Sequence, residues 1–359
     1  MTTFLEFTHT EWSEAPRLRH QVAQLLVDRG HTVYFFERSV PWRQGRELEV
    51  RHEAKGPALV RTRRLLHHQL RVAPPLHWAN ARVLAGQIRR FVQSHAIGTD
   101  AVILNFNYDF YFLRKIFPRN RILTIINDDF EAMCRLPYRG HITWALKRTC
   151  QISDEVLTVS TPLQDRLSLW CRPKLFLPWS VTPYRAPVGP VENRTRLLFW
   201  GFVDKRLDLD LLDTLAEALA KRRPSFKIML VGPTHGDSRP MVEARMARHT
   251  NVEIRGRTNL DDLPQEELLA ALIPYKRDRT NDAILQTNKT MQLLAKGLPL
   301  VISGMPAFMR KPYILRLDEG GDMATVIDTV VRNFDTWQPE IKAFVDENSP
   351  DSRLPLLGV

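Results

Sequence analysis

Cysteine is scarce in this chain: Cys134, Cys150 and Cys171 are its three, in 359 residues. Their spacing matches no metal motif and their number is odd, so the sequence predicts reduced thiols rather than a disulfide framework. Long apolar runs are missing too, none approaching the roughly 20 residues that span a bilayer. The opening Met1-Thr2-Thr3-Phe4-Leu5-Glu6-Phe7-Thr8 lacks the basic-then-apolar order of a secretory signal. A cytoplasmic chain is expected, peripheral on the inner face of the cell membrane if it meets lipid at all. No Walker lysine loop, zinc motif or glycine-rich dinucleotide fingerprint occurs. Acidic residues are outnumbered, 40 Asp+Glu against 51 Lys+Arg, a net +11. That excess points to an anionic partner: a nucleotide, an acidic membrane or nucleic acid. Nucleic acid fits worst, because the aromatics are not interleaved with the basic residues in a strand pattern.

What is present is ordinary globular sequence, 44% hydrophobic and 25% charged, too long for one comfortable core. Phe4 to Thr8, Arg17 to Asp28 and Thr32 to Glu37 read as strand, helix and strand, with Gly30 closing the helix. A helix from Trp78 to Ser94, a strand from Asp100 to Asn105, a helix from Tyr108 to Ile116 and a strand from Arg121 to Ile126 follow. Helix Thr143 to Ser153, strand Glu155 to Ser160 and strand Lys174 to Leu177 complete the half. The Pro-rich stretch Pro183 to Arg194 is the clearest composition break and predicts a linker. Then strands and helices alternate again, ending in two helices, Met323 to Phe334 and Thr336 to Asn348. The expected domains are 1–182, a linker over 183–195, 196–335, and a C-terminal helix and tail over 336–359 that packs back on the first domain. The fold class is α/β: two Rossmann-like, doubly wound domains facing across a cleft.

Ligands of open α/β sheets bind at the carboxyl ends of the strands, so candidates are sought there. In the second half, Gly201 follows a strand and precedes Lys205 and Arg206, which suit phosphate oxygens. Gly232 ends the next strand. Asn288 to Ile302 reads as a helix, a Gly297 stop, Pro299 and a buried strand. Lys289 and Gln292 share one face near that helix's N-terminus, a natural place for a phosphate and an adjoining hydroxylated group. In the first half, Asn127-Asp128-Asp129-Phe130 follows a strand: one Asp suits a general base, and the other suits a helix cap. His9, Glu11 and Trp12, after the first strand, are acceptor-side candidates. Asp208 and Asp210 open a helix and read as terminal acids, not as a metal pair. No metal and no cofactor are expected. The stretch Arg51 to Arg71, with Leu65, Leu66, Leu70 and Val72, reads equally as a lipid-facing surface or a solvated basic loop.

On these residues the chain resembles GT-B glycosyltransferases, best over Leu197 to Val301. The large retaining family (family 4, group 1) usually carries a Glu at the position of Gln292 and another eight residues earlier, where this chain has Ile284. The Lys289-x-x-Gln292 form, with Tyr275 upstream and Gly297-Leu298-Pro299 after the helix, is more similar to the xanthan-type glucuronosyltransferases. That resemblance implies a nucleotide-sugar donor, UDP-linked, held by Lys289, Gln292 and Tyr275, with Asp128 as base; Asn288, opening the same helix, is a further donor-side candidate. It implies transfer to a lipid-linked or polysaccharide acceptor in cell-surface polysaccharide assembly, with inversion. A nucleotide-sugar epimerase on the same scaffold and a non-catalytic binding partner are the alternatives.

Overall fold

The computed structural model describes residues 1–14, 16–44, 48–65, 73–134, 138–233, 238–278 and 281–359. Two compact units divide the chain, Met1–Leu177 with Pro355–Val359, and Pro178–Leu354.

The first unit opens with β1 (Thr3–Phe7), α1 (Leu18–Asp28) and β2 (Thr32–Phe36), then β3 (Val40–Pro41), β4 (Glu49–His52), β5 (Ala58–Arg61) and β6 (Arg63–Arg64). It continues with α2 (Pro74–Ser94), β7 (Val102–Asn105), β8 (Ile122–Ile126), α3 (Arg139–Ile152), β9 (Glu155–Thr158), α4 (Thr161–Leu167) and β10 (Lys174–Leu175). Eight strands form one sheet in the order β10-β9-β8-β7-β1-β2-β5-β4, parallel except for β4 against β5. The apolar runs of β7 and β8 are buried throughout, as parallel strands covered on both faces must be. On α1, Leu18, Val22, Leu25 and Leu26 face the core, and Gly30 takes the left-handed conformation (φ +79°) just past its end.

Unit two holds β11 (Arg196–Trp200), α5 (Leu209–Arg222), β12 (Lys227–Val231), α6 (Ser238–Met246), β13 (Val252–Arg255) and β14 (Leu268–Pro274). Then come α7 (Asn288–Ala295), β15 (Leu300–Ser303), β16 (Ile314–Arg316) and α8 (Met323–Glu347). Its sheet runs β13-β12-β11-β14-β15-β16, every pair parallel. Gly297 adopts φ +70°, and a Cβ there would lie 2.5 Å from Pro187 Cγ and 2.7 Å from Gln338 Oε1. Glycine is therefore required twice over where α7 stops, by conformation and by space.

Three expectations fail. The helix expected over Tyr108 to Ile116 is a single 3-10 turn, Leu113–Lys115. Tyr108, Phe110 and Phe112 are all buried, a two-residue spacing that helical geometry cannot satisfy on one face. Phe130 to Cys134 forms turns and no regular helix. The two terminal helices are one: α8 runs through Asp335 and over Pro339, because Phe334, Trp337, Ile341 and Val345 continue a single buried stripe. Among the described residues no helix is long and apolar enough to cross a membrane.

Candidate active site

The second unit gathers its predicted residues at the carboxyl ends of β11, β12 and β14. The segment after β11 is fastened to its neighbours by backbone: Gly201 N–H donates to Val231 O (2.9 Å), Val203 N–H to Pro233 O (3.0 Å) and Lys276 N–H to Arg206 O (2.8 Å). Gly232 lies so close that a Cβ on it would stand 1.9 Å from Gly201 O. Two backbones meet there with no room for side chains, leaving main-chain groups at the site's floor.

Above Gly201 sits Lys289, from the first turn of α7. Its Nζ donates to Tyr275 Oη (2.8 Å) and lies 4.6 Å and 4.8 Å from the ring centres of Phe199 and Tyr275. A Cβ on Gly201 would be 3.2 Å from that Nζ. Two aromatic faces and a hydroxyl thus hold one ammonium that no carboxylate among the described residues pairs with, which leaves its charge available to an anion. Arg206 also lies over the Tyr275 ring (5.4 Å) and is paired with Asp204, Nη2 to Oδ2 2.9 Å. Burial alone would push the Tyr275 hydroxyl up; the Lys289 and Arg206 charges outweigh it and hold the phenol below its usual value. α7 begins at an N-cap, Thr287, whose hydroxyl accepts from Thr290 N–H while the Thr290 hydroxyl accepts from Thr287 N–H (both 3.1 Å). Asn288 Oδ1 is buried without a hydrogen-bond partner, and Gln292 is half-buried on the same helix. Lys205 is exposed and has no ion pair among the described residues.

The first unit carries a separate set. Asp129 is occupied: Oδ1 accepts from Ala132 N–H (2.9 Å) and Oδ2 pairs with Arg166 (2.8 Å). Asp128 makes no such cap. Its Oδ2 accepts from Asn127 Nδ2 (2.6 Å) and lies 3.7 Å from Arg19 Nη2. Although 41% of its side chain is open, burial pushes the carboxyl above its ordinary value, against the pull of Arg19, Arg17 and the Asn127 hydrogen bond. The acceptor-side trio is dispersed. His9 Nε2 lies 3.5 Å from Asp109 Oδ1, Glu11 pairs with Arg38 (3.0 Å), and Trp12 packs on Phe35 and His20 while its N–H donates to Glu37 (2.8 Å).

Asp208 caps α5 through Leu211 N–H (3.1 Å), and Asp210 pairs with Arg245. The basic stretch is only partly paired where it is described. Arg51 and Arg61 both pair with Glu37, Arg63 lies over the Trp42 ring, and Arg64 is buried. Leu66, Leu70, Arg71 and Val72 fall outside the described residues. Sequence reasoning passed over Phe199 and gave Arg19 no role. A signal existed for the second: an arginine one step from Leu18 inside the apolar face of α1.

No family model and no curated protein matches the chain. Solved structures do. An α,α-trehalose-phosphate synthase (UDP-forming) from Burkholderia vietnamiensis superposes over 100% of this chain and 99% of its own, with TM-score 0.69 at 12% identity. The fold is GT-B. Anabaena HepE in complex with UDP matches over 100% and 98% (TM-score 0.65, 11% identity). WaaG, a glycosyltransferase involved in lipopolysaccharide biosynthesis, matches over 99% of both chains (TM-score 0.60, 10% identity). The eight- and six-stranded sheets of this chain are thus those of the two Rossmann-like domains of the GT-B fold, here with sequence far diverged from each of these three.

Proposed function

We propose that this GT-B chain is a glycosyltransferase that moves a sugar from a UDP-linked donor to a lipid-linked or polysaccharide acceptor. The observation that carries the reading is Lys289, an ammonium with no carboxylate partner among the described residues, set between Phe199 and Tyr275 over the close backbone approach of Gly201 and Gly232. A diphosphate is the anion such a site suits: Lys289 and the N-terminus of α7 meet the negative charge that grows on the leaving group. Asn288 and Gln292, on the same helix, are the hydroxyl-binding groups. Solved neighbours with bound UDP or UDP-2-fluoro glucose support the nucleotide.

Asp128 is the base. It would take the proton of the acceptor hydroxyl as that oxygen attacks the anomeric carbon and the diphosphate departs, a single displacement with inversion. Asp129, fixed to Ala132 and Arg166, is the lesser candidate. Membrane contact is proposed from the exposed Trp42 and Leu65 beside Arg63. Sedimentation with anionic vesicles tests it, and indifference to lipid charge would remove it. The function itself is tested by incubating purified protein with UDP-sugars, with and without membrane extract. Sugar transfer that needs extract supports the reading; conversion of the donor alone would make the chain an epimerase.

A further inference from the structure

Behind Asp128 lies an arrangement that donor binding does not require. Glu6, on β1, is fully buried, and neither carboxyl oxygen has a hydrogen-bond partner. Arg19, on α1, is 7% exposed, lies 5.9 Å from the centre of the Phe106 ring, and leaves its Nε without a hydrogen-bond partner. Its Nη2 is 3.7 Å from Asp128 Oδ2, an ion pair between a buried cation and a carboxylate that reaches the surface. Burying a guanidinium is costly unless an anion answers it. Two carboxyls are in range of this one, and their surroundings differ.

We propose that Arg19 positions and charges the Asp128 carboxylate for its work as base, a role that rests on the reading above, and that Glu6 stays uncharged behind it. The partition follows from solvation. The Asp128 side chain is 41% open and accepts from Asn127, whereas Glu6 is fully buried and no donor among the described residues reaches it, so a charge is better tolerated on Asp128. Burial accordingly holds Glu6 well above the ordinary carboxyl range despite the pull of Arg19. The other charged groups that act on the trio are Arg17, at the N-cap of α1, and Glu14, which acts on Arg19. With Glu6 neutral, Arg19 gives its field to Asp128. The base is then aimed by Arg19 together with the Asn127 hydrogen bond. An ionised Glu6 would instead share the guanidinium and loosen Asp128.

Carbon-13 titration of the Asp and Glu carboxyls tests this in the intact chain without any substrate, the Asp128 resonance being identified by its loss in Asp128→Asn. In Arg19→Met the Asp128 midpoint should rise by about 1 pH unit or more, and Arg19→Lys should restore most of that shift. In Glu6→Gln the Asp128 midpoint should not move, while one carboxyl resonance that stays protonated through neutral pH disappears. An unmoved Asp128 midpoint in a folded Arg19→Met would overturn the proposal. So would a downward shift in Glu6→Gln, which would show Glu6 ionised and sharing Arg19. Should Arg19→Met not fold, as judged by circular dichroism, the near-isosteric Glu6→Gln decides alone. Turnover separates this from the base assignment: an active Asp128→Asn removes the base and leaves the titration result standing.

Discussion

Lys289, Tyr275 and Phe199 form a three-residue unit in which each side chain limits the others. Tyr275→Phe keeps the ring but removes the oxygen that accepts from Nζ, so UDP affinity should fall about 5-fold, the worth of one modest hydrogen bond; titration calorimetry reads it directly. At the other site, Asp128→Asn should cost turnover on the order of 100-fold to 10,000-fold with UDP affinity kept. Asp129→Asn should instead keep turnover and lower Tm, since its carboxylate holds Ala132 N–H and Arg166. A sign follows from the burial of Asp128. Its folded value is raised, so stability present below the ordinary Asp value is lost as pH rises through the raised one. Much at this scale was legible in advance. Gly201, Gly232, Tyr275 and Lys289 stand at strand ends or a helix start, where local pattern reveals them. Phe199 and Glu6 were not, because each is one residue of a buried strand. Which strand residue faces a ligand, and which carboxyl is left unpaired, depends on partners distant in sequence.

The elements that carry the donor site rest on two local devices, a cap and a close backbone approach. Thr287→Ala removes the hydroxyl that opens α7 and should cost about 1 kcal/mol, seen as a lower urea midpoint at unchanged slope. It should also weaken UDP binding, because α7 presents Lys289. Gly232 is stricter: with φ +150° and a would-be Cβ 1.9 Å from Gly201 O, Gly232→Ala must displace the segment after β11. A loss of roughly 1–3 kcal/mol in urea unfolding is expected, together with most UDP affinity. Strands were the most readable elements, since unbroken apolar runs such as Leu268 to Pro274 have few other homes. The turn around Leu113 was misread because its aromatics mimic helical density, and α8 was divided at Asp335 although its buried stripe runs on across that residue. In α8 the buried stripe from Phe334 to Val345 outweighs one missing backbone donor.

At the scale of the whole molecule the two units are proposed to be chemically unequal, with Pro178–Leu354 holding the nucleotide and the unit containing Met1–Leu177 supplying the base. Amide hydrogen exchange with saturating UDP should slow over Gly201 to Arg206 and Asn288 to Gln292, and leave the amides of β7 and β8 unchanged. The doubly wound alternation in both halves was legible from strand and helix spacing alone, and the GT-B fold bears it out. Most direct as a test of the central claim is calorimetric titration of UDP into wild type and Lys289→Met. The account predicts saturable binding to wild type, weakened about 10-fold to 100-fold by the substitution, the worth of one charge-assisted contact. Equal affinity in the two proteins, or no binding of UDP or any other nucleoside diphosphate to wild type, would contradict it.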